Sequence, residues 1–241
     1  MAIDYRSQSP QILADFLSYH ETIKAHSQRT VDEYFLDLRN FFRYVKQLRD
    51  PALRDTPFDQ IGIMDVDLSL IKTITLSDIY GYMTYLSRDR VQHQNCENSD
   101  KGLNAASRAR KLATIRSFFN YLCNKVHLLE ENPCKDIDSP KQMKSLPRYL
   151  TLEDSLSLLD AVDGKHKERD FCIITLFLNC GLRISELIGL NLSDIQDDAM
   201  RVLGKGNKVR VVYLNDACKD ALARYLAVRH PISGKDRDAL F

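Results

Sequence analysis

The chain has 241 residues, of which 44% are hydrophobic and 28% charged, as is usual for globular proteins. No basic segment followed by an apolar run opens the sequence, and the longest apolar run, residues 171–178, is too short to span a bilayer. We therefore expect no signal peptide and no membrane partner. Six cysteines without a CxxC pair argue against a zinc site or a disulfide framework and favour a reducing cytoplasm.

The net charge is only +1, but the charged residues are sorted along the chain. Residues 101–125 contain six basic and no acidic side chains, and residues 201–210 contain four basic and no acidic ones. This pattern is typical of a phosphate-facing surface. A solvated helix face followed by a charged hairpin would give the same pattern, so composition leaves both readings open.

The first half of the sequence predicts four helices. Apolar residues recur at helical spacing over residues 10–25 and behind a capping-box pattern at Thr30 and Glu33. Thr75 and Asp78 open a third helix, and the fourth covers residues 104–125. Residues 93–100 read as a loop. The acidic stretch 50–73 has no clean period and predicts a long connection that packs on the helices or touches a neighbouring subunit.

The fourth helix combines an apolar stripe with basic residues. Its predicted core residues are Leu112, Ile115, Phe119, Leu122 and Val126. Arg108 and Lys111 continue the stripe, so we expect them to point past the edge of the core, where a partner could bind. Ordinary burial of their aliphatic stems is the alternative.

Prolines punctuate a basic connector, which we place at residues 141–150 between a helical domain of residues 1–140 and a second domain of residues 151–241. The second domain predicts a helix from Thr151, a buried helix over residues 171–178 that ends at Gly181, and a short helix over 184–190. Strands at 200–203 and 208–214 form a hairpin, and a helix covers 216–228. The predicted fold is mainly α with a small β-hairpin.

Two positions in the second domain could carry chemistry. Arg183 lies between the most apolar stretches of the chain and needs a fixed partner, which Glu186 could be, three residues later. Lys205 lies between two glycines at the hairpin tip, where its ammonium could reach a phosphate or donate a proton. A structural salt bridge and an exposed turn lysine are the alternatives. The sequence has no Walker loop, GxGxxG or HExxH motif, so we expect no metal, nucleotide or other cofactor.

Five motifs, taken in order, resemble the tyrosine recombinase or phage integrase family of Xer-like site-specific recombinases. They lie at residues 30–44, 107–122, 132–151, 181–187 and 202–214. The resemblance implies an amino-terminal, SAM-like core-binding domain and a mixed α+β catalytic domain that together clamp double-stranded DNA. It also implies a homo-oligomer, a tetrameric synapse on DNA, for the complete protein.

The resemblance further implies a reaction. A tyrosine attacks a DNA phosphate, forms a 3′-phosphotyrosyl link and releases a 5′-hydroxyl, and a second strand reverses the step, which gives integration, excision or resolution. By motif, Arg183 is the first catalytic arginine, Glu186 its supporting acid and Lys205 the general acid. We assign DNA contacts to the remaining basic residues of the motifs, namely Arg108, Arg110, Lys111, Arg116, Lys141, Lys144, Lys208 and Arg210.

Two features depart from the family pattern. The connection at residues 50–73 is longer than in compact Xer proteins, and the second arginine motif and the nucleophilic tyrosine are expected only after Phe241. We therefore expect an incomplete catalytic domain, no nucleophile within this chain and no DNA cleavage by it alone. A shortened relative that occupies DNA without chemistry, and a helical interaction module, remain alternatives.

Overall fold

The computed structural model describes residues 4–91, 101–141, 146, 148–204, 206–230 and 234–241. The chain divides into two compact units, Met1–Lys144 and Ser145–Phe241. The division falls inside the stretch 141–150 that the sequence assigns to a linker. The loop predicted at residues 93–100 lies outside the described residues.

Helices dominate both units, as predicted. The first unit contains α1 (Tyr5–Gln8), α2 (Gln11–Ser18, continued by a π-helical turn, Tyr19–Ile23), α3 (Gln28–Arg49), α4 (Leu68–Lys72), α5 (Leu76–Arg88) and α6 (Ala105–Asn124). The second contains α7 (Leu152–Asp160), α8 (Lys167–Cys180), α9 (Ile184–Ile188) and α10 (Asp216–Val228). Among the helices of these described ranges, none is long and apolar enough to cross a membrane.

An aromatic core holds the first unit together. Phe118 on α6 meets Phe16 of α2 and Phe42 of α3 edge to face, with ring centroids 5.3 and 5.5 Å apart. All three rings are fully buried. Edge-to-face pairs add to the free energy of burying the rings, so α2, α3 and α6 pack around one shared contact.

The acidic connection at residues 50–73 packs on the helical unit, which is one of the two alternatives predicted for it. Arg43 and Lys46, on the polar side of α3, donate to the backbone carbonyls of Ile61 and Gly62, both at 2.8 Å. Lys46 also binds Asp65 at 2.6 Å. Apolar side chains of the segment enter the core of the unit at Ile63, Val66 and Ile71. The segment lacks a clean period because it contains only short helical pieces, Pro51–Leu53 and α4, and because side chains of α3 bind its backbone carbonyls between them.

Some predicted helix starts are confirmed and one is wrong. The capping boxes at Thr75 and Thr151 form as predicted. Helix α3 instead starts at Gln28 behind Ser27, whose backbone is extended, so no capping box forms at Thr30. Thr30 already lies inside the helix, where its N–H donates to the Ser27 carbonyl at 2.8 Å, and Ser27 makes no side-chain cap hydrogen bond.

Two predicted core assignments are also wrong. Val126 lies beyond the end of α6 and is 39% exposed. Helix α8 was expected to be buried throughout residues 171–178, yet Leu178 is 37% exposed and only one face of the helix is covered. Apolar character alone does not tell which face of a helix meets a neighbour.

The second unit packs α8 and α10 beside a three-stranded antiparallel sheet of order β1-β2-β3. Its strands are β1 (Ile195–Gln196), β2 (Ala199–Leu203) and β3 (Val209–Tyr213), and β1 was not predicted. Met200 and Val202 point into the core. In β3 the outer face carries Val209 and Val211, both 58% exposed, whereas Arg210 and Val212 share the inner face.

The core of α6 can be tested at Phe119, which is fully buried. We expect Phe119→Ala to lower the free energy of unfolding by about 3–5 kcal/mol, because it removes a ring and leaves a cavity. Val126→Ala is the matched control and should change it by no more than about 0.5 kcal/mol. Urea unfolding measures both variants, and equal effects would contradict this assignment of the core.

Candidate functional site

The site of the second unit starts at the turn after α8. Gly181 ends the helix with a left-handed backbone, φ 57° and ψ 39°, a conformation that glycine adopts without strain. The chain then reverses, and Arg183 becomes the residue that precedes α9. The helix end predicted at Gly181 and the short helix predicted after it are both present.

One buried carboxylate, that of Glu186, organises the site. Glu186 is 4% exposed. Arg210 donates from both terminal nitrogens to its two oxygens, at 2.8 and 2.9 Å. Arg183 donates from Nη1 at 2.6 Å and from its backbone N–H at 2.9 Å. A buried charge is stable only when it is paired and hydrogen-bonded, and these four bonds meet that requirement.

The two arginines differ in what remains free. Arg210 uses both ends of its fork on the carboxylate, whereas Arg183 donates to Glu186 from Nη1 alone and its side chain is 67% exposed. A single carboxylate carries one negative charge against two guanidinium charges. The cluster therefore keeps a net positive charge, and the exposed face of Arg183 presents it to an anion such as phosphate.

The β2–β3 turn also reaches this carboxylate. A Cβ atom at Gly204 would lie 3.3 Å from Oε1 of Glu186 and 3.6 Å from Nη1 of Arg210. The Gly204 N–H donates to the carbonyl of Lys208 at 2.7 Å and closes the turn. A side chain here would crowd the ion pair and require its atoms to shift by a few tenths of an ångström. Lys205 follows Gly204 in the sequence but lies outside the described residues.

Electrostatics keep the carboxylate ionised. Hydrogen bonds from Arg210, followed by the backbone N–H of Arg183, hold the pKa of Glu186 far below its usual value, against the opposing effect of burial. The same contact raises the pKa of Arg210. Glu186 therefore cannot act as a proton donor near neutral pH, and its role is to position Arg183 and the hairpin.

Glu186 was predicted as the partner of Arg183, but Arg210 was predicted to contact DNA instead. The structure places Arg210 on the inner face of β3, where its fork is occupied by Glu186. Strand alternation was the available signal: Val209 and Val211 point outward, so Arg210 between them must point inward.

In the first unit, the prediction that Lys111 points out past the core is wrong. Lys111 is 7% exposed and donates to Asp37 at 2.6 Å. Arg110 adds a bidentate pair to Asp37 at 2.8 and 3.0 Å, and the Thr114 hydroxyl donates at 3.0 Å. Asp37 is 1% exposed, and an acid on the buried face of a phenylalanine-rich helix is itself a sequence signal for such a partner.

The other predicted DNA-contact residues fall into two groups. Arg108 donates to Ser87 and to the Leu103 carbonyl, and Arg116 donates to the Ile137 carbonyl and to Ser139. Two lysines, Lys141 and Lys208, are exposed. Lys144, like Lys205, lies outside the described residues.

The tyrosines of the second unit also differ in their surroundings. Tyr225 is buried, and its hydroxyl donates to the Leu240 carbonyl at 2.8 Å. Tyr149 and Tyr213 are 86% and 81% exposed.

Comparison with known proteins gives a consistent result. Residues 148–241 match the phage integrase family. The tyrosine recombinase XerC of Caldanaerobacter subterraneus subsp. tengcongensis is 47% identical over 232 residues, which cover 96% of this chain and 63% of that protein. The tyrosine recombinase XerC of Myxococcus xanthus is 37% identical over 227 residues, 92% of this chain and 65% of its own length. The chain thus spans slightly less than two thirds of these relatives.

Solved structures share the fold. The Tn1549 transposon integrase in complex with a circular intermediate DNA superposes with a TM-score of 0.62 at 17% identity, over 97% of this chain and 71% of that one. The XerH site-specific recombinase bound to a palindromic difH substrate gives a TM-score of 0.60 at 18% identity, over 95% and 61%. Together with the observed helices and small sheet, these likenesses confirm the predicted fold class.

The role of Glu186 can be tested through pH. Because its pKa is depressed in the folded protein, its contribution to stability is present above the ordinary value of 4.5 and is lost as the pH falls below it. We expect Glu186→Gln to melt at a lower temperature than the wild type at pH 7. The gap should narrow between pH 4.5 and about pH 3, because the Glu186 carboxyl of the unfolded wild-type chain is protonated there while that of the folded chain stays ionised.

Melting curves of both proteins from pH 7 to about pH 3 measure this difference. Asp163→Asn, at an exposed carboxylate of the same unit, is the control and should follow the wild type throughout. If the difference in melting temperature between the wild type and Glu186→Gln stays constant down to the lowest pH, the stability lost in the variant does not come from the charge of this carboxylate.

Proposed function

Since this chain belongs to the phage integrase family of tyrosine recombinases, we propose that it binds duplex DNA and supplies part of the catalytic apparatus for site-specific recombination. The observation that carries the proposal is the exposed guanidinium of Arg183, which buried Glu186 holds in place. The same carboxylate holds the hairpin that leads to Lys205.

The proposed reaction exchanges one phosphodiester for another. A tyrosine oxygen attacks the DNA phosphorus, the bond to the 5′-oxygen breaks, and the strand is left as a 3′-phosphotyrosine. Religation by a second 5′-hydroxyl reverses each step, so no external energy source is needed. Arg183 binds non-bridging oxygens and stabilises the additional charge of the five-coordinate phosphorus. Lys205 protonates the leaving 5′-oxygen as general acid.

Glu186 acts in this proposal by positioning other residues. It fixes the guanidinium of Arg183 before DNA arrives, so the site loses little conformational entropy when the phosphate binds. It also fixes the position of the β2–β3 turn, because Arg210 binds it and Gly204 lies close to it. Gly204, the residue before Lys205 in the sequence, is thereby fixed beside the carboxylate.

The proposed DNA surface contains fewer basic residues than the sequence assigns to it. Lys141 and Lys208 are exposed and serve as phosphate contacts, and Arg110 keeps a partly exposed guanidinium although it binds Asp37. Four other basic residues donate their hydrogen bonds to acceptors within the protein, so we assign them structural roles instead: Arg108, Lys111, Arg116 and Arg210. Lys144 remains a proposed contact on sequence grounds.

The proposed assembly is a homo-oligomer on DNA. One solved structure that shares the fold, at a TM-score of 0.54 and 19% identity, is a lambda integrase tetramer bound to a Holliday junction. We propose the same tetrameric arrangement for the complete protein, because exchange of both strands of two duplexes requires four cleavages, one for each strand.

The first test of this function is DNA binding. We expect the affinity for a labelled duplex to fall steeply with salt, because phosphate contacts release counterions. Lys141→Ala and Lys208→Ala should each reduce the slope of log K against log salt by about 1. Lys219→Ala is the control, since Lys219 binds Asp198 and Asp216.

Fluorescence anisotropy at several salt concentrations measures these slopes. Binding that does not depend on salt, or no binding at low salt, would contradict the proposal. The same outcome would favour a helical module without a role in nucleic-acid binding.

The second test traps the covalent intermediate on a duplex nicked beside the scissile phosphate. We expect no covalent product from the 241-residue chain. A product should appear when the carboxyl-terminal segment of the Caldanaerobacter relative is fused to it. In that fusion Arg183→Ala should slow product formation by about 10²–10³-fold, the usual cost of losing one charge-stabilising donor, and Lys219→Ala should leave it unchanged.

Denaturing gels separate the possible results. A covalent band from the 241-residue chain, abolished by substituting Tyr149, Tyr213 or Tyr225, would place the nucleophile inside this chain. An inactive fusion that still binds duplex DNA would favour a protein that occupies DNA without chemistry.

A further inference from the structure

A basic pocket in the first unit is separate from the Arg183 site. It lies between α3, the acidic connection and the first turns of α6, and has a volume of about 300 Å³. Five cationic side chains line it, Arg39, Arg43, Arg90, Arg110 and Lys111, together with three carboxylates. The volume is at the lower end of the range for small-molecule sites.

The carboxylates do not neutralise this pocket. Asp37 and Glu33 are bound by Arg110 and Lys111, at 2.6 to 2.9 Å for the closest atoms of each ion pair. The two positive charges of Arg110 and Lys111 balance the two negative charges of Asp37 and Glu33. Asp59 is then the only carboxylate among the described lining residues left to offset three arginines, so the pocket retains two positive charges.

Two of the remaining arginines, Arg43 and Arg39, are held by contacts that leave their charge uncompensated. Arg43 donates from Nε to the Ile61 carbonyl and from Nη2 to the Asp59 carbonyl, and a carbonyl does not cancel its charge. Arg39 has a buried Nε with no hydrogen-bond partner among the described residues. Its guanidinium carbon lies 5.1 Å from the ring centre of Phe35.

The spacing of Arg39 and Arg43 makes this arrangement costly. Residues four apart lie on the same face of a helix, and like charges there repel. Burial lowers the pKa of both arginines, and the charge of Arg39 lowers that of Arg43 further. A bound anion would remove this repulsion.

We propose that this pocket binds the dianionic phosphate group of a small phosphate monoester. A dianion matches the two uncompensated positive charges, and guanidinium forks fit phosphate oxygens in bidentate geometry. A DNA backbone phosphate carries a single charge and would leave one positive charge uncompensated. None of the lining residues belongs to the Arg183 site, and only Arg110 is shared with the proposed DNA surface.

Calorimetric titration of the full chain at constant ionic strength tests the charge requirement. Inorganic phosphate at pH 8 should bind at least about tenfold more tightly than dimethyl phosphate, a monoanionic diester, which is about 1.4 kcal/mol. Phosphate affinity should fall as the pH drops through the second ionisation of inorganic phosphate, where the dianion gains a proton. Sulfate, which stays a dianion, should keep its affinity. Arginine remains charged throughout, so the ligand sets the pH dependence.

Two variants and a control test the location. Arg39→Gln should weaken phosphate binding at least about tenfold, whereas Arg29→Gln, at an exposed position in the first turn of the same helix, should not. Asn40→Asp places a carboxylate in the pocket lining. It should abolish phosphate binding and raise the melting temperature of the ligand-free protein, because the new carboxylate offsets the arginines.

The proposal is overturned by any of three results. The first is no phosphate binding by the wild type. The second is equal affinity for phosphate and dimethyl phosphate, which would make the pocket a contact for the DNA backbone. The third is unchanged phosphate binding in Arg39→Gln or Asn40→Asp. A melting curve for each variant separates loss of binding from loss of folding.

Discussion

The second unit depends on one buried negative charge, the carboxylate of Glu186. Removing a carboxylate from water costs free energy, and this cost is offset only by nearby cations that also donate hydrogen bonds to it. Arg183 supplies one cation from the start of α9, and Arg210 supplies the other from a strand, 24 residues after Glu186. The ion pair therefore forms only when the turn after α8, helix α9 and the hairpin are all in place. This requirement couples the exposed guanidinium of Arg183 to the fold of the whole unit.

The first unit repeats the principle with Asp37. Three side chains of α6 converge on this buried carboxylate of α3, across 73 to 77 residues of sequence. They fix the register of α6 against α3 more specifically than the aromatic contacts can, since rings pack in several orientations and hydrogen bonds do not. As a result, part of the acid-free segment 101–125 is neutralised inside the protein. Counting basic residues along the sequence overstates the charge that faces outward.

The sequence predicted the elements whose causes are local. The capping residues Thr75 and Thr151 start helices α5 and α7, and α10 has the predicted bounds because Asn215 caps it. The linked pair of Arg183 and Glu186 was predicted because it lies within one helical turn. The orientations of Lys111 and Arg210 were not predicted, since each is set by a carboxylate remote in sequence. Strand β1 was missed for the same reason: two residues form a strand only because β2 lies beside them.

The two arginines around Glu186 have different roles: Arg210 compensates the buried charge, and Arg183 keeps an exposed guanidinium. Arg210 satisfies both carboxylate oxygens and has its charge matched by that of Glu186. Arg183 adds one side-chain bond and a backbone N–H, so it is held in place while its charge is not cancelled. If Arg210 were absent, the carboxylate would draw Arg183 into a bidentate pair and remove the donors that a phosphate needs. The structural arginine thus keeps the exposed one available, and the hairpin that carries it keeps Gly204 beside the same carboxylate.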